Sequence, residues 1–269
     1  MGADQTNAYL VNSPINGLTS EFSLVFSNSG EAQPAAAIAS HVVHLGDINA
    51  DGQNDIGISY THDNGATEEG GTLYIFFGGF EPGLNMNVEA ANAVIRGTNN
   101  AQRFGRIAQG SMSVADVTGD GVPDLLATND PGGSTVGAYV FAGPIEGNLS
   151  TDEAAAVWSG ATPSRPHTIA SAGDFNGDGF NDVIIGAPDD DGSGAAYLFY
   201  GPVAGSLALS SADVVFVGIQ ANALTGHQVG SPGDVNLDGY SDIVITAPGY
   251  SYGDYIHSGA AYLWLGRGE

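Results

Sequence analysis

The stretch "GDFNGDGFNDVIIGAP" (residues 173–188) places three aspartates within nine residues, directly before a continuous apolar run. The same pattern occurs three more times, as "GDINADGQNDIGIS" (46–59), "ADVTGDGVPDLLAT" (115–128) and "GDVNLDGYSDIVITAP" (233–248). The first aspartates of the four copies, Asp47, Asp116, Asp174 and Asp234, lie 69, 58 and 60 residues apart. Recurrence at this spacing indicates an array of repeated supersecondary units.

Each repeat reads as four β-strands, with the acidic loop between the first two. A small-then-aromatic strand ending in a glycine turn follows, as in "GAAYLFYGP" (194–202), and a linker leads to a fourth apolar stretch. The segment "DEAAAVWSG" (152–160) resembles a helix by itself, but its counterparts in the other repeats favour a strand. The strands after the acidic loops are continuously apolar, which is typical of strands covered on both faces. The sequence therefore predicts an all-β fold, a β-propeller of four-stranded antiparallel blades.

The charge of the chain is strongly one-sided, with 30 acidic residues against 5 basic ones in 269 residues and a formal net charge of −25. Such a chain repels nucleic acids and anionic membranes, so neither is an expected partner. The sequence has no apolar run long enough to span a membrane, and we expect no membrane insertion. The absence of cysteine excludes disulfides and thiolate metal sites.

The acidic loop has the pattern D-x-[NT]-x-D-G-x-x-D, with side-chain oxygens at positions 1, 3, 5 and 9. With a backbone carbonyl at position 7, these oxygens suit a hard cation, and calcium fits better than magnesium because it tolerates flexible geometry. Glycine at position 6 permits the sharp turn. An EF-hand is excluded because its loop needs an acid at position 12. That position holds Ile58, Ala127, Ile185 and Ile245. A metal-free Asp/Asn/Gly turn is disfavoured by four copies in phase.

These repeats resemble FG-GAP repeats, the calcium-binding blades of integrin α-subunit propellers and of many bacterial secreted proteins. The resemblance covers residues 8–266 and includes the "FG" at Phe104 and Gly105. The sequence departs from the pattern where Thr225-Gly226 replaces "FG" and where Ser59-Tyr60-Thr61 replaces "GAP". Thr118 stands at position 3 of the second loop, so we expect the second site to be the weakest.

The resemblance implies about four calcium ions, each bracing the hairpin between the first two strands of a blade. The ligands it implies in the first two loops are Asp47, Asn49, Asp51, the Gln53 carbonyl, Asp55, Asp116, Thr118, Asp120, the Val122 carbonyl and Asp124. In the last two loops they are Asp174, Asn176, Asp178, the Phe180 carbonyl, Asp182, Asp234, Asn236, Asp238, the Tyr240 carbonyl and Asp242.

The sequence carries no nucleophile motif, and its acidic pairs are already accounted for as cation ligands, so we expect no enzymatic activity. His167 and His227 precede their loops at corresponding places and could line the central channel together, but the sequence favours the reading that they are ordinary polar residues on inner strands. The loops between second and third strands vary in chemistry, and residues 248–258 hold Tyr250, Tyr252 and Tyr255 among glycines. Exposed tyrosines suit contacts with a protein or a glycan, although tyrosines packed at a blade edge remain an equal alternative.

We therefore expect a secreted or cell-surface adhesion or interaction module that binds a protein or glycan ligand. The alternative is a carbohydrate-binding or carbohydrate-active propeller, a lectin or polysaccharide lyase. A lyase site ordinarily needs a cluster of basic residues, which the five arginines supply poorly. They are Arg96, Arg103, Arg106, Arg165 and Arg267.

Residues 1–7 are expected to be a leader or cloned residues, with a native export signal removed, and residues 8–269 a single propeller domain. The predicted repeats lie at about 12–77, 78–142, 143–200 and 201–266. The chain begins with third and fourth strands, so we predict that a strand near 20–28 completes the last blade and closes a four-bladed ring. Ala8 to Val11 is then surplus, which leaves open a larger array or self-association through open blade edges.

Overall fold

The computed structural model describes residues 7–10, 24–27, 39–60, 70–80, 84–100, 102–105, 112–129, 137–159 and 165–268. These residues form short β-strands joined by tight loops and four 3-10 turns, Val88–Ala90, Thr151–Glu153, Asp190–Gly192 and Leu209–Ser211. Across these ranges, no helix has the length and apolar character needed to cross a membrane.

The strands follow one another in a regular order. The first ten are β1 (Asn7–Leu10), β2 (Leu24–Ser27), β3 (Ala39–Gly46), β4 (Asp55–Tyr60), β5 (Thr72–Phe76), β6 (Leu84–Asn87), β7 (Ala93–Arg96), β8 (Met112–Ala115), β9 (Asp124–Thr128) and β10 (Gly137–Phe141). The others are β11 (Gly147–Ser150), β12 (Ala156–Ser159), β13 (Thr168–Gly173), β14 (Asp182–Ala187), β15 (Ala195–Phe199), β16 (Gly205–Ala208), β17 (Val214–Val217), β18 (Val229–Gly233), β19 (Asp242–Ala247) and β20 (Ala260–Trp264).

These strands form five sheets, numbered here in chain order. Sheet 1 has the order β1-β2-β6, sheet 2 β3-β4-β5-β7-β11, sheet 3 β8-β9-β10-β12-β16, sheet 4 β13-β14-β15-β17 and sheet 5 β18-β19-β20. Neighbouring strands are antiparallel, apart from the added outer strands β6, β11 and β16, which run parallel to β2, β7 and β12. The predicted order of strand, acidic loop, strand, loop, strand, linker and strand is confirmed in sheets 2 to 4.

The added outer strands were not predicted from the sequence. Each comes from the linker that follows the third strand of the next sheet, so β11, which follows β10 of sheet 3, extends sheet 2. The segment "DEAAAVWSG" contains a single 3-10 turn followed by the strand β12, which confirms the prediction of a strand there.

The apolar core lies between neighbouring sheets. One cluster joins Leu126 and Trp158 of sheet 3 to Ile185 of sheet 4, and others join sheets 2 and 3 and sheets 4 and 5. β14 is buried at all six residues and β9 at all five, because each lies inside its sheet with a neighbour on both faces. This burial on both faces explains why the runs after the acidic loops are continuously apolar.

The predicted closure by residues 20–28 is wrong. A strand has two edges, and β2 uses one to pair with β1 and the other to pair with β6. Among the strands that the structure describes, β20 pairs with β19 alone. The strand at Asn7–Leu10 is therefore a partner of β2 within sheet 1.

Candidate functional site

The four acidic loops connect the first and second strands of sheets 2 to 5, and all twenty predicted ligand residues lie in described parts of the chain. Each loop turns sharply at two places where the backbone has a positive φ. Position 6 is glycine in every copy, with φ between 87° and 95°. Position 4 is also left-handed, even where it holds a side chain, at Ala50 and Leu237. The predicted role of the glycine at position 6 is confirmed.

The aspartates at positions 1 and 5 organise the loop backbone. At position 1, one carboxylate oxygen accepts a hydrogen bond from the glycine N–H at position 6, at 2.8 to 3.0 Å in all four copies. At position 5, the carboxylate accepts the N–H of position 7 at 2.8 to 3.0 Å. In three loops the asparagine at position 3 donates its amide to the position 5 carboxylate. These bonds gather the oxygen atoms of positions 1, 3 and 5 on one turn.

The aspartate at position 9 is fully buried in every copy and joins two separate segments. One oxygen accepts the N–H of position 2 in its own loop, and the other accepts the N–H of the glycine just after the third strand, at 2.8 to 3.1 Å. These aspartates are Asp55, Asp124, Asp182 and Asp242. Each therefore fastens the acidic loop to the turn after the third strand, at the same end of the sheet.

Sequence reasoning missed the role of the glycine after the third strand. These four glycines are Gly78, Gly143, Gly201 and Gly266. A Cβ atom at Gly201 would lie 2.4 Å from the Asn181 carbonyl oxygen, so only glycine lets the two segments approach closely enough to bond. The signal was present in the sequence, because the glycine turn recurs in phase with the acidic loop.

Burial and nearby negative charge raise the pKa of two of these aspartates. The pKa of Asp182 is raised to about 6, mainly by burial and in smaller part by the nearby Asp178 and Asp174 carboxylates, against the backbone hydrogen bonds that lower it. Burial also raises the pKa of Asp55, with Asp51 adding to the effect. Three carboxylates on one short loop are costly without a counter-charge.

The second loop has a different geometry from the other three. Its position 3 residue, Thr118, donates its hydroxyl to Asp124 at 3.2 Å, whereas the asparagines at this position contact position 5. The Thr118 N–H also bonds to Asp124, at 2.8 Å. The oxygen at position 3 is thus directed toward position 9 in this loop, in line with the different residue type.

The donor set of the loops fits a hard divalent cation, although the acidic side chains do not enclose a common centre. Within the described ranges, no three acidic or histidine side chains converge closely enough to hold a metal ion. The carboxylates instead accept amide hydrogen bonds. A carboxylate has about four lone-pair sites, so these carboxylates retain capacity for a cation, except Asp124, which already accepts four hydrogen bonds.

The structure brings together the two histidines that the sequence placed at corresponding positions. The rings of His167 and His227 are 5.9 Å apart between centroids, with His167 next to sheet 4 and His227 next to sheet 5. Burial lowers the pKa of His227. Arg106 and most of the loops at 60–71 and 129–137 lie outside the described residues.

The loop at 248–258 is an exposed surface among the predicted binding loops. Tyr252 and Tyr255 pair with each other as a short hairpin, and both are about three-quarters exposed, at 72% and 74%. Ile256 beside them is 80% exposed. Gln220 holds the base of the hairpin, since its side chain both accepts the Ser251 N–H and donates to the Ser251 carbonyl. Tyr250 instead packs against Tyr262, so the loop tyrosines divide between both predicted roles.

Comparison with known proteins identifies the repeats. The FG-GAP repeat model matches residues 168–199 and 228–264, which are two of the four copies. The chain is 36% identical over 112 residues to mouse integrin alpha-IIb, covering 38% of this chain and 10% of that protein. It is 29% identical over 165 residues to chicken integrin alpha-V, covering 58% of this chain and 15% of that protein.

A third relative comes from another class of protein. Bovine phosphatidylinositol-glycan-specific phospholipase D is 28% identical over 159 residues, covering 55% of this chain and 18% of that protein. The matched regions thus span between 10% and 18% of the lengths of these three relatives. The chain is an integrin-like FG-GAP repeat protein.

Proposed function

We propose that this integrin-like FG-GAP chain is a calcium-braced β-propeller that serves as an extracellular adhesion or ligand-binding module, without enzymatic activity. The propeller geometry is supported by the way the sheets succeed each other. The first strands of sheets 2 to 5 contact one another in order, β3 with β8, β8 with β13 and β13 with β18. The apolar cores lie between neighbouring sheet faces, as between the blades of a propeller.

The single observation that carries the calcium part of the proposal is the fourfold repetition of one arrangement. Each of the four nine-residue loops carries a buried carboxylate at position 9 together with carboxylates at positions 1 and 5, in a chain with only 5 basic residues. Counter-charge for twelve such aspartates has to come from solution, and hard oxygen donors select calcium or a similar ion. The ligands are those named above, five in each loop, and the bound ion supplies positive charge that braces the hairpin.

Calorimetric titration of the calcium-depleted protein tests this part directly. We expect about four ions per chain, with Asp174→Asn removing one of them. The matched control is Asp191→Asn, an exposed aspartate outside the four loops. A stoichiometry near zero, or the same loss in the control as in Asp174→Asn, would contradict the proposal.

The ligand-binding part rests on the exposed hairpin of residues 248–258. Two exposed tyrosines on a short turn, held by the Gln220 side chain, present a rigid aromatic surface with little entropy to lose on binding. Integrin relatives favour a protein ligand, and exposed tyrosines equally suit a glycan. The carbohydrate-binding alternative, a lectin or a polysaccharide lyase, is therefore tested in the same experiment.

A surface-adhesion screen separates these possibilities. The protein in calcium is applied to immobilised matrix proteins and to acidic and neutral polysaccharides, and the Tyr252→Ser/Tyr255→Ser double variant is compared with Val42→Ser, an exposed site on β3. We expect retention on one class of surface, weakened at least tenfold by the tyrosine variant alone. Unsaturated sugar products would establish a lyase, and equal retention of both variants would refute this role for the hairpin.

A further inference from the structure

A chain of hydrogen bonds runs through all four acidic loops and crosses from each sheet to the next. Its central member in each loop is the residue at position 2, whose N–H donates to the buried position 9 aspartate of the same loop. In the first three loops, the carbonyl oxygen of this residue also accepts an N–H from the following sheet, at 3.0 Å in each case. The donor and acceptor pairs are Ile145 and Ile48, Val203 and Val117, and Arg267 and Phe175. One backbone unit therefore serves two sheets.

The donors from the following sheet lie in the turn that the next position 9 aspartate holds. Each donor comes one or two residues after the glycine whose N–H bonds to that aspartate, at 2.9 to 3.1 Å. Between loops 3 and 4, for example, Asp242 accepts the Gly266 N–H, and the adjacent Arg267 N–H donates to the Phe175 carbonyl. The Phe175 N–H in turn donates to Asp182. The buried aspartates are thus connected in order, Asp55 to Asp124, Asp124 to Asp182 and Asp182 to Asp242.

A second contact joins loops 2, 3 and 4 directly, through positions 8 and 1. The Asn181 side-chain amide in the third loop donates to the Asp116 carbonyl in the second, at 2.9 Å. The Ser241 N–H in the fourth loop donates to the Asp174 carbonyl in the third, also at 2.9 Å. Position 8 of the second loop is Pro123, which has neither a backbone N–H nor a side-chain donor. The second loop therefore cannot make this bond to the first.

The side chain at position 7 makes a third contact between the same loops. The Phe180 ring lies against Gly119 and the Tyr240 ring against Gly177, each glycine being position 4 of the preceding loop. A Cβ atom at Gly119 would lie 3.0 Å from two carbons of the Phe180 ring, so glycine allows ring and backbone to approach closely. The carbonyls of Phe180 and Tyr240 are among the calcium ligands proposed above. Position 7 therefore serves its own site through its carbonyl and contacts the preceding loop through its ring.

These three contacts provide a route by which order at one site reaches the next. When the position 7 carbonyl and the position 9 carboxylate of one loop are held by a bound cation, the ring and the turn that touch the preceding loop are held with them. The preceding loop then has less conformational freedom to lose when it binds its own cation. A smaller loss of entropy gives a higher affinity without any new ligand.

We propose that calcium binds the acidic loops with positive cooperativity between neighbouring sheets, so that an occupied loop raises the affinity of the loop before it. By thermodynamic linkage the effect is reciprocal. It is stronger between loops 3 and 4, which share all three contacts, than between loops 1 and 2, where Pro123 stands at position 8. This inference rests on the calcium binding proposed above and adds that the sites fill as one coupled array.

The glycine amides at position 6 allow each site to be followed separately by nuclear magnetic resonance. Each donates to the position 1 carboxylate of its own loop, so its resonance in protein with isotope-labelled glycine reports that loop alone. Calcium is titrated into the calcium-depleted full chain, and Gly179 reports the third site. Asp238→Asn disables the fourth site, and Asp51→Asn, at the same position of the first loop, is the charge-matched control two sheets away from the third.

We expect the calcium midpoint at Gly179 to rise at least about fivefold in Asp238→Asn and less than about twofold in Asp51→Asn. The same midpoint in both variants, or a lower one in Asp238→Asn, would overturn the coupling and leave calcium binding intact. Four glycine resonances that never respond to calcium would overturn the proposed calcium binding itself.

Two variants in the fourth loop test the contacts that carry the coupling. Tyr240→Ala removes the ring from Gly177 and keeps every backbone group. Ser241→Pro removes the donor to the Asp174 carbonyl and uses a residue that the second loop already carries at this position. The control is Leu237→Ala, which shortens an apolar side chain of the same loop that is 87% exposed.

In each contact variant we expect Asp238→Asn to shift the Gly179 midpoint less than it does in the parent, and in Leu237→Ala we expect the full shift. Melting temperatures measured in EGTA establish that the variants are folded alike. A full shift in the Tyr240→Ala/Ser241→Pro double variant would overturn the assignment of the coupling to these contacts.

Discussion

The carboxylate of the aspartate at position 9 links two segments of each sheet that are distant in sequence but neighbours in space. Asp182 accepts the N–H of Phe175 within its loop and the N–H of Gly201 beyond the third strand, each at 2.9 Å. Both hydrogen bonds come from backbone N–H groups and do not involve a cation. This residue therefore has a structural role that is separable from cation binding.

The first prediction separates these two roles with Asp182→Asn. The amide keeps one acceptor oxygen but turns an N–H₂ group toward a backbone donor, which leaves a buried hydrogen bond unmade at a cost of about 1–3 kcal/mol. We expect the free energy of unfolding to fall in calcium and also in its absence. Denaturant unfolding in both conditions measures this, with the exposed Asp191→Asn as control. A loss confined to calcium would show that the carboxylate acts only as a ligand.

The second prediction concerns pH and His227. Burial lowers the pKa of His227 below its usual 6.5, so the folded state holds the neutral ring more strongly than the unfolded state does. This stability is present above pH 6.5 and is lost as pH falls below it, because the unfolded chain then binds the proton more readily. We expect His227→Gln to lose less stability than the parent between pH 7.5 and 5.5. Parallel pH profiles of the melting temperature for the two proteins would contradict this.

At the scale of elements, the added outer strands connect each repeat to the one before it. β16 belongs to the linker of sheet 4 but hydrogen-bonds to β12 of sheet 3, and Leu207 packs against the core that both sheets share. The repeats are thus held together by backbone pairing as well as by apolar contact.

The third prediction tests this connection with Leu207→Ala. Leu207 is partly buried, so truncation should cost about 1–2 kcal/mol, less than the cost of a fully buried leucine. Its neighbour Ser206 is exposed, and Ser206→Ala is the matched control. Hydrogen exchange of the β12 amides should accelerate in the leucine variant only. Unchanged exchange in β12 would mean that β16 contributes nothing to the outer edge of sheet 3.

Some strands could be predicted because their sequence pattern recurs in several repeats, and others could not because they carry no such pattern. The strand Ala156–Ser159 was predicted against its helix-like composition, because three repeats could be aligned. The strand Gly147–Ser150 escaped prediction, since four residues with one apolar side chain carry no periodic signal and their partner lies in another repeat. The position 9 aspartates were recognised as oxygen donors, but their bonds to distant glycines required knowledge of the register between strands.

At the scale of the whole molecule, the stabilising free energies of cations bound at the four acidic loops would add together. If calcium is present at about 100 times the dissociation constant of a site, each bound ion contributes about 2.7 kcal/mol, against a total stability of about 5–15 kcal/mol for a typical protein. Four such contributions together are comparable with the whole net stability of a typical protein. The completion of the last sheet by residues 20–28 was the part of this scale that sequence reasoning predicted wrongly, because both edges of β2 are already occupied.

The fourth prediction is therefore a large loss of stability on removal of calcium. We expect the melting temperature to fall by at least about 10 °C when calcium is replaced by EGTA, since each kcal/mol is worth about 2–4 °C for a chain of this size. Acidification in calcium should act in the same direction, because the ligands must be ionised to bind. Equal melting temperatures in excess calcium and in excess EGTA would rule out the calcium-braced fold.

The parallel outer strands also determine how long the edge of a sheet stays unpaired while the chain is being synthesised. A ribosome releases the chain from its N-terminus, so β7 emerges well before the strand that covers it, and β8, β9 and β10 come in between. The outer edges of sheets 1 to 3 consequently stay unpaired until three strands of the following sheet have left the ribosomal tunnel. Bare strand edges invite pairing with other chains. The need for chaperones during translation therefore depends on how fast the next repeat is synthesised. A pause in translation between β7 and β11 would prolong the exposure of the outer edge of sheet 2.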